Sequence, residues 1–437
     1  MKDGIYTSLD IGTTSIKVIV SEVLNGQMNV IGVGSERSNG INKGLIIDID
    51  ETAQSISKAV KQAEEKSGLT IASLIVGVPA LNIDISPFHV VSAIEHSGQE
   101  INESVLKKMI GHIVNKKIAS DKTLLSVMIE EFIVDGFDGI KDPRKMVGEQ
   151  IELYGTALSV SKTVLHNIKR SVNNAGYAID DLIFQPKGMS ELVMSEDERG
   201  FGTVQIDLGG GQTTVSAVHD HQVKFSSVIK EGGSNITKDI SVVLNTSIKN
   251  AERLKREVGY AFVGNEEPEN DQNISIDVVG QDHTIKVKES YIAEIIEARL
   301  AQIFEQVKEE LDDIGALDLP GGIVLTGGTS AIPKLTDLAE EIFNVNIKTY
   351  IPDFMGVRYP SFTNAIALVF YKANMDDIHQ VMNQLILFGD ISPVSSSAPT
   401  NYSPAKVEHK QDSTHQNETK NKSFMDSIKQ LFGSFFD

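Results

Sequence analysis

Two short segments of the chain each place an aspartate before a small, flexible turn. Asp10 precedes residues 12–14, which read Gly-Thr-Thr, and Asp207 precedes residues 209–211, which read Gly-Gly-Gly. Glycine lets backbone N–H groups approach a ligand closely, and threonine hydroxyls add donors, so such turns can hold phosphate oxygens. A carboxylate is repelled by phosphate and is expected to hold Mg²⁺ instead, usually through water. Two such turns facing each other predict a clamp for a nucleoside triphosphate.

A third glycine turn lies in the last third of the chain. Residues 321–333 predict a strand, a turn at Gly327 and Gly328, and then a helix capped by Thr329 or Ser330. The two glycines leave room for a flat ring to lie against the backbone. Other common nucleotide motifs are absent from the sequence, because there is no P-loop and residues 32–37 fail the dinucleotide-binding pattern at its last glycine.

The segments around the two aspartates form an internal repeat. Residues 6–20 and 204–218 each predict a strand ending in aspartate, a tight turn and a second strand rich in β-branched residues. The repeat predicts a duplicated, two-lobed architecture. Elsewhere, apolar periodicity predicts amphipathic helices at 52–67, 161–174 and 290–313. The run at 219–221 reads His-Asp-His between apolar strands, and we interpret it as a hairpin tip rather than a metal site.

The composition limits the classes of protein that remain. The 437 residues include 40 Lys plus Arg and 60 Asp plus Glu, which gives a formal net charge of −20. This acidic balance argues against nucleic-acid binding, which needs a cationic surface to neutralise phosphates. The absence of cysteine excludes disulfides, thiol nucleophiles and cysteine-ligated metal sites. No signal peptide is predicted, and no run of about 18 apolar residues predicts a transmembrane helix.

The composition changes near residue 390. Residues 391–422 are dominated by polar residues and proline without apolar periodicity, which predicts a disordered linker. Residues 423–437 then predict a short amphipathic helix. Its apolar arc consists of Phe424, Met425, Ile428, Leu431, Phe432, Phe435 and Phe436. We interpret this helix as a membrane-surface anchor on a flexible tether, and docking on a protein groove is the alternative.

The three turns resemble, in order, the phosphate 1, phosphate 2 and adenosine motifs of the actin, Hsp70 and sugar-kinase ATPase superfamily. Within it, the chain is most similar to the FtsA family of bacterial cell-division proteins, from the N-terminus to about residue 378. Residues 131–136 and 181–186 also resemble this family. The resemblance implies an α/β, actin-like (ribonuclease H-like) two-lobed ATPase fold with an FtsA-type extra subdomain, followed by the disordered linker and the C-terminal amphipathic helix.

The resemblance implies a role for each residue at a matching position. Asp10 and Asp207 would position Mg²⁺ through water, and Lys17 would neutralise phosphate charge. Gln185 would orient the water that attacks the γ-phosphate, so that Gln185, Asp10 and Asp207 form the catalytic set. The nucleotide-binding set is Asp10, Gly12, Thr13, Thr14, Lys17, Asp207, Gly209, Gly210, Gly211, Gln212, Thr213, Glu252, Lys255, Gly327 and Gly328.

The second turn departs from the family pattern at two positions. Relatives commonly carry an aspartate where this sequence has Thr214, and a threonine where it has Gln212. A missing carboxylate near the metal and the attacking water weakens the activation of that water. We therefore expect ATP binding with slow or negligible hydrolysis, so that the protein is at most a slow ATPase.

The resemblance also divides the chain into subdomains. Residues 1–82 and 159–200 would form the first lobe (1A), 83–158 an inserted subdomain (1C), 201–250 and 315–390 the second lobe (2A), and 251–314 a smaller part of the second lobe (2B). Within the inserted subdomain, the sequence predicts a helix at 105–114 and strands at 124–134 and 150–158.

The implied function is structural. An ATP-binding protein would polymerise head to tail through subdomain 1C, anchor the ring of the tubulin homologue FtsZ to the cytoplasmic face of the plasma membrane, and help recruit later division proteins to the septum. Subdomain 2B would bind the C-terminal peptide of FtsZ, and membrane attachment would be peripheral. The alternatives are a carbohydrate or acid kinase, an Hsp70-like chaperone ATPase and a pilus-type actin homologue, none of which needs an amphipathic helix on a tether.

Overall fold

The computed structural model describes residues 1–94, 98, 100–264, 271–281 and 284–389. The predicted linker at 391–422 and the predicted helix at 423–437, with its apolar residues Phe424 to Phe436, lie outside the described residues. Within the described ranges, every helix is too short or too polar to span a bilayer.

The described residues form a mixed α/β arrangement of strands and helices. The strands are β1 (Gly4–Ile11), β2 (Ser15–Leu24), β3 (Gln27–Arg37), β4 (Ile41–Asn42), β5 (Leu45–Ile46), β6 (Ser73–Val78), β7 (Asp84–Ala93), β8 (Lys122–Val134), β9 (Phe137–Ile140), β10 (Gln150–Ser161), β11 (Ala178–Phe184), β12 (Thr203–Leu208), β13 (Thr213–His219), β14 (Gln222–Ile229), β15 (Asn273–Asp277), β16 (Thr284–Lys288), β17 (Ile323–Thr326) and β18 (Ile347–Thr349). The helices are α1 (Ile49–Ser67), α2 (Glu103–Lys117), α3 (Lys162–Asn174), α4 (Gln185–Val193), α5 (Glu196–Phe201), α6 (Gly233–Val243), α7 (Ile248–Glu257), α8 (Glu289–Ile314), α9 (Leu335–Phe343), α10 (Thr363–Asn374) and α11 (Asp377–Phe388).

Two five-stranded sheets share one topology. The first sheet has the order β11-β6-β1-β2-β3, and the second sheet has the order β14-β13-β12-β17-β18. In the first sheet, β1, β2 and β3 are antiparallel and β6 and β11 run parallel to β1. In the second sheet, β12, β13 and β14 are antiparallel and β17 and β18 run parallel to β12. This equivalence confirms the duplicated α/β architecture that the internal repeat predicts.

Helices cover both faces of the first sheet, and together they form the first lobe. Strand β2 alternates its side chains, so that Val18 and Val20 pack towards α1 and α3, while Ile19 and Val23 pack towards α10. Helix α1 begins at the N-cap Asp48, whose carboxylate accepts from the Glu51 amide. The predicted helices at 52–67 and 161–174 are confirmed as parts of α1 and α3.

The second lobe consists of the second sheet and the helices α6, α7, α8 and α9. Its core is one contiguous apolar cluster, and α8 contributes a long stripe of fully buried residues that includes Ile292, Ile296 and Leu300. This stripe recurs every three to four residues, as expected for a helix with one buried face. The predicted helix at 290–313 is confirmed as part of α8, which ends at the left-handed Gly315.

A four-stranded antiparallel sheet with the order β7-β10-β8-β9 is inserted in the chain between β6 and β11 of the first sheet. We call it the inserted sheet. It packs with α2 and α11 around a separate core that includes Phe132, Leu106 and Met382. The predicted helix at 105–114 and the predicted strands at 124–134 and 150–158 are confirmed as parts of α2, β8 and β10.

The last two helices pack elsewhere than the predicted boundaries assume. Those boundaries place 315–390 in the second lobe. In the structure, α10 covers the face of the first sheet that α1 leaves free, with Ile366 and Val369 in that core, and α11 packs on the inserted sheet through Ile378 and Met382. The apolar face of β2 that points away from α1 requires such a cover, and α10 supplies it.

Two glycines on β3 allow α1 to lie directly on the first sheet. A Cβ atom on Gly34 would lie 1.8 Å from the carbonyl oxygen of Ala59, and one on Gly32 would lie 2.7 Å from that of Ala63. Both oxygens belong to the backbone of α1 and cannot move away without shifting the helix. These are the glycines of the failed dinucleotide-binding pattern, and the structure shows that they serve helix packing.

Gly34→Ala is expected to lower the free energy of unfolding by about 2 kcal/mol or more, because the added methyl group displaces α1 from the sheet. The matched control is Gly188→Ala on α4, where the nearest atom to the added Cβ lies 3.4 Å away and alanine is the better helix former. Urea unfolding of both variants measures the difference. Equal stability of the two variants would show that α1 does not depend on this close approach.

Candidate functional site

A deep cleft of about 940 Å³ lies between the two lobes. The turns of two β-hairpins, at 10–17 and 207–214, line the cleft from opposite lobes, and the first residues of several helices complete its walls. The predicted site residues that line it are Asp10, Gly12, Thr13, Thr14, Lys17, Gln185, Asp207, Gly209, Gly210, Gly211, Gln212, Glu252, Lys255, Gly327 and Gly328. Thr213 is the exception, since its side chain is buried and its Oγ1 donates to the carbonyl of Glu231 at 2.9 Å.

The two aspartate turns touch each other across the cleft. A Cβ atom on Gly210 would lie 2.3 Å from Cγ2 of Thr14, and one on Gly211 would lie 2.4 Å from Cγ2 of Thr13. A larger residue at either glycine would require Thr13 or Thr14 to shift. The structure therefore brings together the two turns that the sequence predicts to face each other.

At the base of the cleft, Asp10 is buried and Asp207 is half-buried. Asp10 Oδ1 accepts from Gln185 Nε2 at 2.9 Å, and its Oδ2 lies 3.6 Å from Lys17 Nζ. Burial raises the pKa of the Asp10 carboxyl, and Lys17 and Gln185 offset part of this shift. Burial also raises the pKa of Asp207 to about 6, while a hydrogen bond from Asn364 acts in the opposite direction. A bound cation would relieve the cost of holding both charges away from water.

A polar cluster on α6 and α7 forms the second-lobe wall. Lys255 Nζ donates to the carbonyl of Gly233 at 2.9 Å, to Thr237 Oγ1 at 2.8 Å and to Glu252 Oε2 at 2.7 Å. Burial lowers the pKa of Lys255, and Glu252 opposes the shift. Burial disfavours the charged form of Glu252 as well, but hydrogen bonds from Lys255, Thr237 and Arg256 hold its pKa below the usual value. These contacts fix both side chains at the second-lobe wall of the cleft.

The third turn supports the second turn from behind. Gly327 has φ 92°, and a Cβ atom there would lie 2.2 Å from Asp207 Oδ1. Thr329 Oγ1 donates to the carbonyl of Gly209 at 3.0 Å. The predicted helix cap at Thr329 or Ser330 is wrong, because Ser330 Oγ donates to the carbonyl of Gly327 and α9 begins only at Leu335, after Pro333. The hydroxyls of this segment fold its own turn and hold the neighbouring one.

The structure adds cleft residues that sequence reasoning missed. Asn364 donates to Asp207, Thr237 holds Lys255, and Gly233 supplies a carbonyl to Lys255. The sequence signal for this segment is the Gly-Gly pair at 232–233. In the structure the Gly233 amide donates to the carbonyl of Gly209 and so supports the second turn. Asn364 carried no such signal, because it sits inside an apolar helix that is remote in sequence from all three turns.

The two unusual residues of the second turn have distinct surroundings. Gln212 reaches the first lobe, where a Cβ atom on Gly44 would lie 2.0 Å from its Oε1. Thr214 pairs with Asp207 across the β12–β13 ladder, at the position that Lys17 holds opposite Asp10 in the first lobe. The second hairpin thus presents a hydroxyl where the first presents an ammonium group.

Two sheets of equivalent topology, closing on a cleft of three glycine turns, define an actin-like, two-lobed α/β protein. Solved structures of this class match the whole described fold. PilM in a PilM–PilN type IV pilus biogenesis complex has a TM-score of 0.58 at 15% identity, covering 85% of this chain and 99% of that chain. MreB5 of Spiroplasma citri bound to ADP has a TM-score of 0.52 at 13% identity, covering 84% of this chain and 94% of that chain. A MamK double helical filament has a TM-score of 0.51 at 11% identity, with 85% and 99% covered.

The chain belongs to the FtsA family of cell-division proteins. The family model for cell division protein FtsA matches residues 204–367, and the model for the SHS2 domain inserted in FtsA matches residues 82–159. Cell division protein FtsA of Enterococcus hirae is 46% identical over 87% of this chain and 86% of its own length. That of Bacillus subtilis is 40% identical over 84% of this chain and 82% of its own length.

Asp207→Asn is expected to stabilise the nucleotide-free protein at pH 8 relative to the wild type. The pKa of Asp207 in the folded state, about 6, lies above its ordinary value of 3.8. The folded protein therefore favours the protonated carboxyl. The stability that this preference contributes is fully present below about pH 4 and is lost as the pH rises through about 6. A shift of about two pKa units corresponds to about 3 kcal/mol. Urea unfolding in EDTA at pH 4 and pH 8 should show the advantage of the variant growing by about that amount.

The control for this comparison is Asp313→Asn, which changes an exposed carboxylate near the end of α8. Its effect on stability is expected to be small at both pH values. An Asp207→Asn advantage that is the same at pH 4 and pH 8 would contradict the buried, charge-disfavouring environment of Asp207.

Proposed function

We propose that the cleft binds ATP with Mg²⁺ and that the bound nucleotide governs assembly of this actin-like division protein at the membrane. The contact between the two aspartate turns carries this proposal, because it aligns backbone amides, hydroxyls and two carboxylates from both lobes around one space. The MreB5 structures titled as bound to ADP and to AMPPNP support it by likeness of fold.

The residues of the cleft fit a magnesium nucleotide. Turns 12–14 and 209–211 would hold phosphate oxygens through their amides, with Lys17 neutralising charge, and Gly327 and Gly328 would pack on the adenosine. Glu252 and Lys255, which line the second-lobe wall of the cleft, would contact ribose and base. Mg²⁺, when bound, supplies charge neutralisation between the phosphates and the carboxylates of Asp10 and Asp207, which would reach it through water.

Hydrolysis at this site is expected to be slow. Gln185, proposed to orient the attacking water, donates its amide to Asp10 at 2.9 Å and so has a defined direction. No carboxylate stands at position 214, where relatives commonly have one, and a threonine hydroxyl is a far weaker proton acceptor. The arrangement is better suited to holding ATP while the protein assembles than to hydrolysing it rapidly.

Lys17→Met is expected to lower the affinity for ATP with Mg²⁺ by about tenfold or more, because it removes the ammonium group beside Asp10 and leaves that buried carboxylate facing the phosphates. The matched control is Lys43→Met, since Lys43 is exposed in the turn between β4 and β5 of the same lobe. Titration with a fluorescent ATP analogue measures both affinities. Equal binding by the two variants would place the nucleotide outside this cleft.

We further propose that residues 423–437 attach the protein peripherally to the cytoplasmic face of the plasma membrane, with 391–422 as the tether. The family membership supports a place at the division site, and the sequence of the tail supports a membrane surface. The proposed partners are FtsZ, through residues 251–314, and later division proteins at the septum. Self-assembly would run head to tail through residues 83–158. The MamK filament supports self-assembly in general by likeness of fold.

One short helix binds a bilayer only marginally, so attachment should depend on several tails held in one assembly. We expect the full chain to sediment with anionic liposomes, more so with ATP and Mg²⁺, and a chain ending at Lys422 to stay in solution. Phe432→Glu, in the predicted apolar arc, should abolish sedimentation, while Gln430→Glu, on the predicted polar face, should retain most of it. Equal behaviour of these two variants, or binding by the truncated chain, would contradict the anchor.

A further inference from the structure

The two oxygens of Asp207 are restrained from opposite directions. Oδ1 faces Gly327, where even a methyl group would lie within 2.2 Å of it. Oδ2 accepts from Asn364 Nδ2 at 2.8 Å. A hydrogen bond to an ionised acceptor is stronger than a neutral one and is directional. The amide thus holds one carboxylate oxygen, and the absence of a side chain at Gly327 leaves the space that the other oxygen occupies.

The amide that fixes Asp207 comes from the other lobe. Asp207 ends β12 of the second sheet, whereas Asn364 lies in the first turn of α10, which packs on the first sheet. The neighbouring residue repeats the connection, because Thr326 Oγ1 on β17 donates to Thr363 Oγ1 at 2.8 Å in a buried position. Two adjacent residues of α10 therefore hydrogen-bond to two parallel strands of the second lobe.

The remaining atoms of Asn364 give its amide one usable direction. Its Oδ1 is buried and accepts no hydrogen bond from the described residues. Rotation of the amide by half a turn would place this oxygen against the Asp207 carboxylate, which two acceptors do not tolerate. The amide is oriented for Asp207 at the cost of leaving its own acceptor without a protein partner. A side chain kept only for packing would have no need of this arrangement.

Asn364 also borders both spaces next to the carboxylate. It lines the main cleft and, together with Gln185, Gln205 and Thr214, a cavity of about 10 Å³ behind Asp207. In that cavity Gln205, 2% exposed, donates its amide to the carbonyl of Pro186 on α4 at 2.8 Å. A polar layer that joins both lobes therefore runs directly behind the proposed metal-holding carboxylate.

We propose that Asn364 is a positioning residue for the divalent cation that accompanies the nucleotide. It holds Asp207 in one orientation from across the lobe boundary, so that this carboxylate is preset for the metal only while the two lobes are in contact. The inference rests on the proposed binding of a magnesium nucleotide. It assigns a role to a residue outside all three glycine turns.

The test separates the metal from the nucleotide. Affinity for a fluorescent ATP analogue is measured in EDTA and in Mg²⁺, and the ratio of the two affinities is the readout. Asn364→Leu keeps the size of the side chain but removes its donor, and it is expected to reduce the Mg²⁺-dependent gain by about tenfold. Its affinity in EDTA should stay within about threefold of the wild type. Asn374→Leu, at an exposed position of the same helix, should leave both values unchanged.

The outcomes are distinguishable. Loss of the Mg²⁺ gain in Asn364→Leu alone supports the positioning role. A wild-type gain in Asn364→Leu overturns it and leaves nucleotide binding intact, whereas failure of the wild type to bind the analogue in either condition removes the proposed function itself. If Asn364→Leu does not give a cooperative thermal transition, Asn364→Ala carries the same comparison, because it also removes the donor.

Discussion

Two carboxylates at the contact between the lobes set the conditions for the rest of the cleft. Asp10 and Asp207 lie near the ends of equivalent strands of the two sheets. Asp10 is buried and Asp207 is half-buried, so each charge needs compensation within hydrogen-bond distance. Asp10 receives it from Lys17 and Gln185 in its own lobe. Asp207 has a threonine where the first lobe has a lysine, and it receives an amide from Asn364 instead. The asymmetry of the site follows from this one difference between two otherwise equivalent hairpins.

The repeat in the sequence predicts both sheets because the features it contains are local. A strand, a tight turn and a second strand can be recognised within about fifteen residues, and antiparallel neighbours follow directly from them. The same local chemistry identifies the cleft residues from Asp10 to Lys17 and from Asp207 to Gln212. Thr213 shows the limit of this reasoning, since alternation along β13 turns its hydroxyl to Glu231 rather than to the cleft.

The features that were not predicted depend on contacts distant in sequence. The apolar pattern of α10 indicates that it is buried but not which sheet it covers. Asn364 acquires its role only through that packing, because nothing in its own neighbours marks it as a partner of Asp207. Similarly, the sequence excludes Gly32 and Gly34 from a dinucleotide-binding motif, but only the approach of α1 shows that they are packing residues. A glycine pattern indicates that another group lies close to the backbone, but it does not show whether that group is a ligand or another part of the protein.

The return of α10 to the first sheet determines when the first lobe is completed during synthesis. Ser8 on β1 donates to the carbonyl of Ala365, 357 residues later, and Ile19 shares its core with Ile366. At roughly 5–20 residues per second, a ribosome needs on the order of 20–70 s to supply that partner. Until then one face of the first sheet has no cover, although its strands have already been made. The nascent N-terminal half therefore exposes an apolar sheet surface for most of the time taken to make the protein.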